Sequence, residues 1–231
     1  MLFPWVGHLE QVRLADVYVH YTDVQFSKGS LVNRVQIKTA AGPKWLTAPL
    51  SKLRMGQSIS EVRVDPDPSW KRRHIEWLQQ CYATAPYASD MLAIVRNVYG
   101  RSDEMLADLS KFSLASLCEY FGLALGRQFM SIEELAVSGR NSDRVLDIVK
   151  TLGGSRYVTG HGARNYLDHQ AFDKAGVRVE YMHYRKVPYR QLHGAFNPFV
   201  SALDLVANEG PAGVGYIQST SVYWKDFLNE R

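Results

Sequence analysis

The first third of the chain alternates between apolar and polar residues with a period of two, which is the pattern of half-buried β-strands. Three segments show this alternation, at residues 17–21, 32–37 and 44–47. An Ala-Ala-Gly-Pro sequence at residues 40–43 separates the last two of them. The pattern therefore predicts a β-hairpin at residues 32–47 and a separate strand before it.

The middle of the chain changes to a helical period. Apolar and aromatic side chains recur on one face of the first predicted helix, namely Trp70, His74, Trp77 and Leu78. Pro86 ends this helix, and further helices are predicted at residues 91–98 and 114–125. An Asp-Pro-Asp-Pro hinge at residues 65–68 leads into this region. We therefore predict a helical insertion at about residues 68–125.

Helical and strand patterns alternate again in the last hundred residues. A helix is predicted at residues 141–150, followed by strands at residues 157–159 and 176–181. A Gly-His-Gly turn at residues 160–162 interrupts the pattern after the first strand, and open α/β sheets bind their ligands at such carboxyl ends. The chain is predicted to be a single α/β domain over residues 1–231. Its core is expected to be a Rossmann-like, mostly parallel sheet with flanking helices.

The composition is that of an ordinary globular protein, with 46% hydrophobic and 22% charged residues among 231. No apolar run approaches 18 residues, so no membrane span is expected. The chain does not open with a secretory signal pattern, so a cytoplasmic location is expected. Cys81 and Cys118 lack metal-ligand and redox spacing, which is typical of reduced core thiols. The net charge of +4 is compatible with an anionic ligand. The only basic run, at residues 71–73, does not indicate a dedicated nucleic-acid face.

Two predicted loops carry residues that are suited to proton transfer. Asp23, Gln25 and Lys28 follow the strand at residues 17–21, and a carboxylate there can accept a proton from an attacking amine. His161, in the Gly-His-Gly turn, is the histidine best placed for acid–base chemistry. The alternatives are a solvated turn in which Asp23 pairs with Lys28, and a strand-to-loop junction that needs glycine for its backbone. Asp23 and His161 are the candidate catalytic residues.

Polar and basic residues inside regular elements are candidates for ligand binding. Asn33 and Arg34 lie within a predicted strand, and Arg144 lies within a predicted helix. A guanidinium in such a place can hold a phosphate or carboxylate with two hydrogen bonds. It can equally form a structural ion pair, for instance with Asp16 or with Asp147, which lies one turn away from Arg144. For Arg144 we expect a structural or positioning role.

Gly7 and His8 at the start of a predicted helix are similar to the Gly-His element of nucleotidyltransferases, in which the helix N-terminus and the histidine meet a triphosphate. A single dipeptide carries little specificity, and a histidine that caps local backbone explains it as well. An ATP-dependent ligase or nucleotidyltransferase is therefore one alternative function. A non-catalytic small-molecule-binding protein is another.

Several motifs of established chemistry are absent from the sequence. The histidines lack the spacings of a metal site, so no metal is expected. No Gly-x-Ser-x-Gly elbow is present and neither cysteine has a basic motif residue nearby, which disfavours a covalent acyl-enzyme. Walker and Rossmann glycine fingerprints are also missing.

Short motifs in a fixed order run along nearly the whole chain. They include Phe3-Pro4-Trp5 with Gly7, Asp23-Val24-Gln25-Phe26 with Lys28, Asn33-Arg34, Lys44-Trp45-Leu46-Thr47, Tyr157-x-Thr159-Gly160, Tyr189-x-Gln191 and Ser201-x-x-Asp204-Leu205. In these motifs the chain resembles the WbqC-like protein family. The family positions and the loop argument together indicate candidate substrate-binding residues: Trp5, His8, Gln25, Lys28, Asn33, Arg34, Arg144, Gly160, Tyr166, Tyr189 and Gln191.

Members of this family are often encoded among genes for surface-polysaccharide or amino-sugar metabolism. With the absence of a covalent nucleophile, the resemblance implies transfer of an acyl or aminoacyl group to the amine of an amino sugar or similar small polar acceptor. The donor is expected to be a thioester on coenzyme A or on an acyl carrier protein. Proximity and a general base can carry such a transfer without a covalent enzyme intermediate.

The chain departs from the family pattern near its start. Family members usually begin with a short apolar strand before the aromatic-Pro-Trp motif, and this strand is missing ahead of Phe3. His8 and Leu9 stand in place of the usual aromatic pair. The chain either lacks this strand or starts late, and if the strand is central, both the stability and any ligand contacts that it supplies are in doubt.

A helix near residue 200 is expected to fix the loop at residues 189–191 in place through hydrogen bonds to Asp204. The apolar residues expected on its buried face are Phe199, Ala202, Leu203 and Val206, with Ser201 and Asp204 near the other side. The loops at residues 23–28, 160–166 and 189–191 are then expected to converge on one cleft at the carboxyl ends of sheet strands.

Overall fold

The computed structural model describes residues 1–229 and has a mixed α/β fold. The helices are α1 (Val6–Arg13), α2 (Ser69–Cys81), α3 (Ala88–Tyr99), α4 (Leu106–Tyr120), α5 (Asn141–Thr151), α6 (His169–Lys174), α7 (Ala202–Glu209) and α8 (Trp224–Asn229). The strands are β1 (Val17–His20), β2 (Arg34–Ile37), β3 (Lys44–Thr47), β4 (Leu50–Ser51), β5 (Arg63–Val64), β6 (Gln128–Ser131), β7 (Arg156–Thr159), β8 (Arg178–His183) and β9 (Thr220–Tyr223).

Within residues 1–229 the strands form four small sheets. Strand β1 pairs with β6 in parallel, so that Val17 lies opposite Gln128 and His20 opposite Ser131. Strand β8 lies between β7, which is parallel to it, and β9, which is antiparallel. The mixed α/β class is therefore confirmed, whereas parallel pairing is confined to two strand pairs and one continuous Rossmann-like sheet is not shown. The strands have only two to six residues, and such short strands can form only a few hydrogen bonds with their neighbours.

The hairpin predicted at residues 32–47 is confirmed. Strands β2 and β3 are antiparallel, with Arg34 opposite Thr47 and Ile37 opposite Lys44. The turn between them contains Gly42 at φ 89°, a backbone conformation that glycine adopts without steric cost.

The helical region is confirmed, but the bounds of two helices differ from the prediction. Helix α2 ends at Cys81, five residues before Pro86, and helix α4 ends at Tyr120 instead of residue 125. Gly122 and Gly126 have positive φ angles after α4, so the chain turns away there. Helix α3 packs against both α4 and α7, which places the helical region in one core with α7.

Buried apolar side chains form one large cluster and two smaller ones. The large cluster joins the first residues, the β2–β3 hairpin, helices α2 to α4 and helix α7. A second cluster lies between α5, α6 and β8, and a third joins Ile132 and Leu135 to Ile148. The large cluster anchors Phe26 and Tyr189 of two predicted site loops, whereas Ala163 and Leu167 anchor the loop with His161 in the second cluster.

The two cysteines have free thiols, and Cys118 is buried while Cys81 is partly exposed. Burial raises the pKa of the Cys118 thiol to about 12, so this thiol stays protonated and unreactive at neutral pH. In the part of the chain that the structure describes, no helix is both long and apolar enough to cross a membrane.

Candidate functional site

The glycine at the end of β7 lets two loops approach each other closely. Strand β7 ends at Thr159, and a 3-10 turn at His161–Asn165 follows Gly160. A Cβ atom on Gly160 would lie 3.3 Å from the hydroxyl of Tyr184, the residue that follows the neighbouring strand β8. Gly160 therefore places the backbone of one strand end against the side chain of the next.

His161 has a fixed orientation. Its Nε2 lies 2.6 Å from the carbonyl oxygen of Met182. Because a carbonyl oxygen only accepts hydrogen bonds, Nε2 carries the proton, and the neutral ring then has its free lone pair on Nδ1. The side chain is exposed, and its ring contacts the rings of Tyr184 and Phe227 at centroid distances of 5.2 and 4.8 Å. The structure thus presents a histidine with a defined proton acceptor beside aromatic rings.

Trp5 lies on the other side of Tyr184. Its indole covers Gly7, because a Cβ atom there would come within 2.3 to 2.5 Å of the ring. The indole contacts the rings of Tyr184 and Phe199 at 5.1 and 5.8 Å. We call the group formed by these aromatic residues and the histidine the Trp5–His161 surface; it comprises Trp5, His161, Tyr184, Phe199 and Phe227. The ammonium of Lys186 lies 5.0 Å from the Phe199 ring centroid.

A buried carboxylate lies near this surface. Glu10 is almost fully buried in α1, and its carboxylate accepts hydrogen bonds from the backbone N–H of Ser219 (3.3 Å) and from the Ser219 hydroxyl. Burial raises the pKa of Glu10. Burial, followed by the charge of Glu10, raises the pKa of Tyr184 to about 12. The Tyr184 phenol therefore keeps its proton and can donate a hydrogen bond to a ligand.

Asp23, the other candidate base, is held by an arginine. Arg144 Nη1 donates to one carboxylate oxygen of Asp23 at 3.1 Å, and Nη2 donates to the other. The same guanidinium donates through Nε to the Val137 carbonyl at 3.2 Å and lies over the Tyr21 ring at 5.1 Å. The hydrogen bonds that Arg144 donates to Asp23 raise the pKa of Arg144. The partner of Arg144 is thus Asp23 instead of the expected Asp147, and the partner of Asp23 is Arg144 instead of Lys28.

Tyr166 lies in a cluster of phenols near this ion pair. Its side chain is half exposed, and it is within hydrogen-bonding reach of the Tyr157 hydroxyl. Burial, followed by the nearby Tyr166 phenol, raises the pKa of Tyr157. The charge of Tyr21, which follows β1, also raises the pKa of both Tyr157 and Tyr166, so the three phenols lie near one another.

The His8 side chain lies against strand β1. Its Nε2 lies 2.7 Å from the hydroxyl of Tyr18. Burial, with a smaller contribution from His20, lowers the pKa of His8 to about 3, so the ring is neutral at pH 7. A neutral histidine with an occupied Nε2 is poorly suited to a triphosphate.

Four further candidates make their contacts within residues 24–58. Asn33 is buried, and its side-chain amide donates to the carbonyl of Ala48 at 2.9 Å, which is a structural role. Arg34 donates to the Gly29 carbonyl. Gln25 and Lys28 are both exposed. No hydrogen bond or ring contact among the described residues joins these four to the Trp5–His161 surface.

The loop with Tyr189 and Gln191 is tied to the core. The Tyr189 hydroxyl donates to Asp204 Oδ1 at 2.9 Å, and the Gln191 amide donates to the Tyr189 hydroxyl at 2.9 Å. The expected anchoring by Asp204 is thereby confirmed. Asp204 is, however, fully buried, while Phe199 is exposed and precedes α7. The expected burial of Phe199 was therefore wrong, and the buried Tyr189 does not line an open cleft.

A concave region away from the Trp5–His161 surface was not expected from the sequence. An open cleft of about 420 Å³ is lined by His20, Lys111, Phe112 and Phe129 among others. Burial, followed by the charge of Lys111, lowers the pKa of His20 to about 4. Within residues 1–229, no three histidine, cysteine, aspartate or glutamate side chains are grouped closely enough to hold a metal ion.

Sequence reasoning missed Tyr184, Phe227 and Glu10. A usable signal existed for Tyr184, because it follows strand β8 as Gly160 follows the parallel strand β7, and such strand ends meet at one edge. Phe227 and Glu10 gave no local signal, because their roles depend on segments far away in the chain.

Comparison with known proteins agrees with the motif pattern. An uncharacterized protein of Mycobacterium tuberculosis (strain ATCC 25618 / H37Rv), Rv1507c, is 28% identical over 218 residues, which cover 93% of each chain. No solved structure matches the chain. The WbqC-like protein family matches over residues 1–216. This range includes all the candidate residues predicted from the sequence; Ser219 and Phe227 lie beyond it. The chain therefore belongs to the WbqC-like protein family.

Proposed function

We propose that this protein transfers an acyl or aminoacyl group to the amine of an amino sugar or similar small polar acceptor. The observation that carries the proposal is the hydrogen bond between His161 Nε2 and the Met182 carbonyl, at 2.6 Å. It leaves Nδ1 as a proton acceptor on an exposed ring beside aromatic side chains. A general base near neutral pH needs such a free, oriented lone pair.

In the proposed reaction the acceptor amine attacks the carbonyl carbon of a thioester. A C–N bond forms, the C–S bond breaks, and the thiolate of coenzyme A or of an acyl carrier protein leaves. His161 Nδ1 accepts the proton that the amine loses and returns it to the thiolate. Holding both substrates in line supplies much of the rate enhancement, so no covalent enzyme intermediate is needed.

The aromatic side chains of the Trp5–His161 surface suit an amino-sugar acceptor. Ring faces such as that of Phe199 attract an ammonium, as the position of Lys186 at 5.0 Å illustrates. The protonated Tyr184 phenol can donate a hydrogen bond to a sugar oxygen. Trp5 belongs to the motif that the family shares, which supports a role for this surface in binding the acceptor.

Two finer expectations belong to the same proposal. The parallel pairs β1–β6 and β7–β8 are proposed to correspond to parts of a Rossmann-like arrangement, with the reacting groups at the carboxyl end of β7. The biological setting is proposed to be cytoplasmic surface-polysaccharide or specialised metabolism, in keeping with the family.

Other assignments fit the geometry less well. Asp23 is a poorer base than His161 because Arg144 occupies both of its oxygens. An ATP-dependent ligase or nucleotidyltransferase would need His8 on a phosphate, but Tyr18 occupies its Nε2. A non-catalytic binding protein would bind the acceptor on the same surface without turnover.

The proposal is tested with a panel of acyl-coenzyme A thioesters and amino sugars, by measuring thiol release and the mass of the acylated acceptor. We expect His161→Ala to lower turnover by about a hundred- to ten-thousand-fold. His193→Ala is a matched control, because His193 is also exposed and its Nε2 also bonds a backbone carbonyl, that of Cys81 at 2.7 Å. The control should keep wild-type turnover.

Wild-type turnover in His161→Ala would exclude His161 as the base, and a loss confined to Asp23→Asn would assign that role to Asp23. Product formation that requires ATP and magnesium would support the ligase instead. A rise in Tm with amino sugars but no turnover with any thioester would support the binding protein.

A further inference from the structure

Basic residues are segregated along the chain. Residues 24–60 contain no aspartate or glutamate, but they contain six lysines and arginines. This segment alone carries a charge of +6, which exceeds the +4 net charge of the whole chain. The rest of the chain is therefore slightly acidic, and the positive potential is concentrated on one part of the sequence.

The fold brings the exposed members of this segment together. The Phe26 N–H donates to the Gln57 carbonyl at 2.8 Å, which holds the loop at residues 27–31 beside the loop at residues 52–56. Arg34 then bonds Gly29, and its guanidinium lies 4.4 Å from the Trp45 ring centroid. We call the result the basic loop surface; it comprises Lys28, Leu31, Arg34, Trp45, Lys52, Leu53, Arg54 and Met55.

Apolar side chains project from the same surface. The side chain of Met55 is 98% exposed, and Leu31, Trp45 and Leu53 are also exposed. In the loop at residues 52–56 basic and apolar side chains alternate, and a hydrogen bond from the Arg54 N–H to Gln57 Oε1 at 2.6 Å holds the tip. Large apolar side chains on an exposed loop tip indicate a surface that binds another protein or a membrane.

We infer that the basic loop surface docks on an anionic lipid membrane. Lysines and arginines near a membrane are attracted to acidic headgroups, and apolar side chains at a loop tip insert at the boundary of headgroups and acyl chains. The four apolar side chains lie on two loops and a strand, so they suit a fluid surface better than a protein of fixed shape. A nucleic acid would neutralise the charges but leave Leu53 and Met55 in water. This inference does not rest on the proposed transferase function.

Vesicle flotation with the full chain tests the inference. We expect binding to phosphatidylcholine vesicles that contain about one-third phosphatidylglycerol, and at least about tenfold weaker binding to phosphatidylcholine alone. Lys52→Glu with Arg54→Glu should weaken binding by about fivefold or more for each charge, and Leu53→Ser with Met55→Ser by about tenfold. The matched control is Arg72→Glu with Arg73→Glu, an exposed basic pair on α2, which should leave binding unchanged. Circular dichroism confirms that each variant is folded.

Three results would overturn the inference. The first is equal binding to the two kinds of vesicle or to neither. The second is full binding by the Leu53→Ser and Met55→Ser variant, because binding would then depend on charge alone. The third is equal loss in the α2 control, because the effect would then follow net charge and not this surface.

Discussion

At the scale of single residues, the least expected feature is a fully buried carboxylate. Asp204 accepts hydrogen bonds of 2.9 Å from the hydroxyls of both Tyr82 and Tyr189. The ammonium of Lys38, itself buried, donates to the carbonyls of residues 194 and 195 and contributes a favourable charge. Burial raises the pKa of Asp204, and these partners offset part of that effect. The network joins α2, α7 and the loop with Tyr189.

Asp204→Leu should destabilise the fold by about 3 to 5 kcal/mol, because it leaves two buried hydroxyls without their acceptor and removes the negative charge that favours the buried Lys38 ammonium. Tyr82→Phe removes the hydrogen bond to Asp204 and the one that the Lys38 N–H donates to the Tyr82 hydroxyl, and should cost less, about 1 to 3 kcal/mol. Urea unfolding followed by circular dichroism measures both. A loss below about 1 kcal/mol for Asp204→Leu would show that the network does not stabilise the fold.

At the scale of elements, helix α1 supports the Trp5–His161 surface through the contact between Gly7 and the indole of Trp5. Leu9 and Val12 anchor the helix in the large core. Gly7, on the helix, leaves room for the indole of the preceding Trp5. The position of the indole therefore depends on one missing methyl group.

Gly7→Ala should destabilise the fold by about 1 to 3 kcal/mol, since the added Cβ must displace the indole. Helix propensity alone would stabilise the variant by up to about 1 kcal/mol, so the sign of the change distinguishes the two effects. Gly215→Ala is the control, because a Cβ there meets no atom within 4 Å. Urea midpoints and near-ultraviolet circular dichroism report stability and indole packing. A stabilised Gly7→Ala variant with an unchanged aromatic spectrum would contradict the expected displacement.

At the scale of the whole molecule, three histidines on different elements are kept neutral. Burial lowers the pKa of His8 to about 3, of His20 to about 4 and of His74 to about 4. The unfolded chain has histidines with a pKa near 6.5, so below that pH it binds more protons than the folded protein does. The free energy of unfolding must therefore fall as the pH falls from about 6.5 toward 4.

Between pH 7 and pH 5 we expect a loss of about 1 kcal/mol for each of these histidines, allowing for the solvent-exposed part of the rings. Urea unfolding at several pH values measures the slope. His74→Gln should reduce that slope, whereas His183→Gln should not, because His183 is exposed in the folded protein. Equal slopes in wild type and His74→Gln would contradict the neutral, buried state of His74.

The candidate site was predictable where it depended on local signals. The Gly-His-Gly sequence after a predicted strand identified His161, and the family motif identified Trp5. Prediction failed for Asn33, whose side chain is turned into the core, because a strand pattern does not say which backbone carbonyl lies opposite a polar residue. It also failed for Phe199, which lies just before the helix it was assigned to.

The sequence by itself determined the membership of the family, the β2–β3 hairpin and the helices of the middle region, because these depend on residues a few positions apart. Only the tertiary structure decided which groups meet. Arg144 finds Asp23 from 121 positions away, and Met182 selects the protonated nitrogen of His161 from 21 positions away. The basic loop surface likewise exists only when two loops lie side by side. Such pairs depend on how distant segments pack around a shared core, and no local pattern encodes that packing.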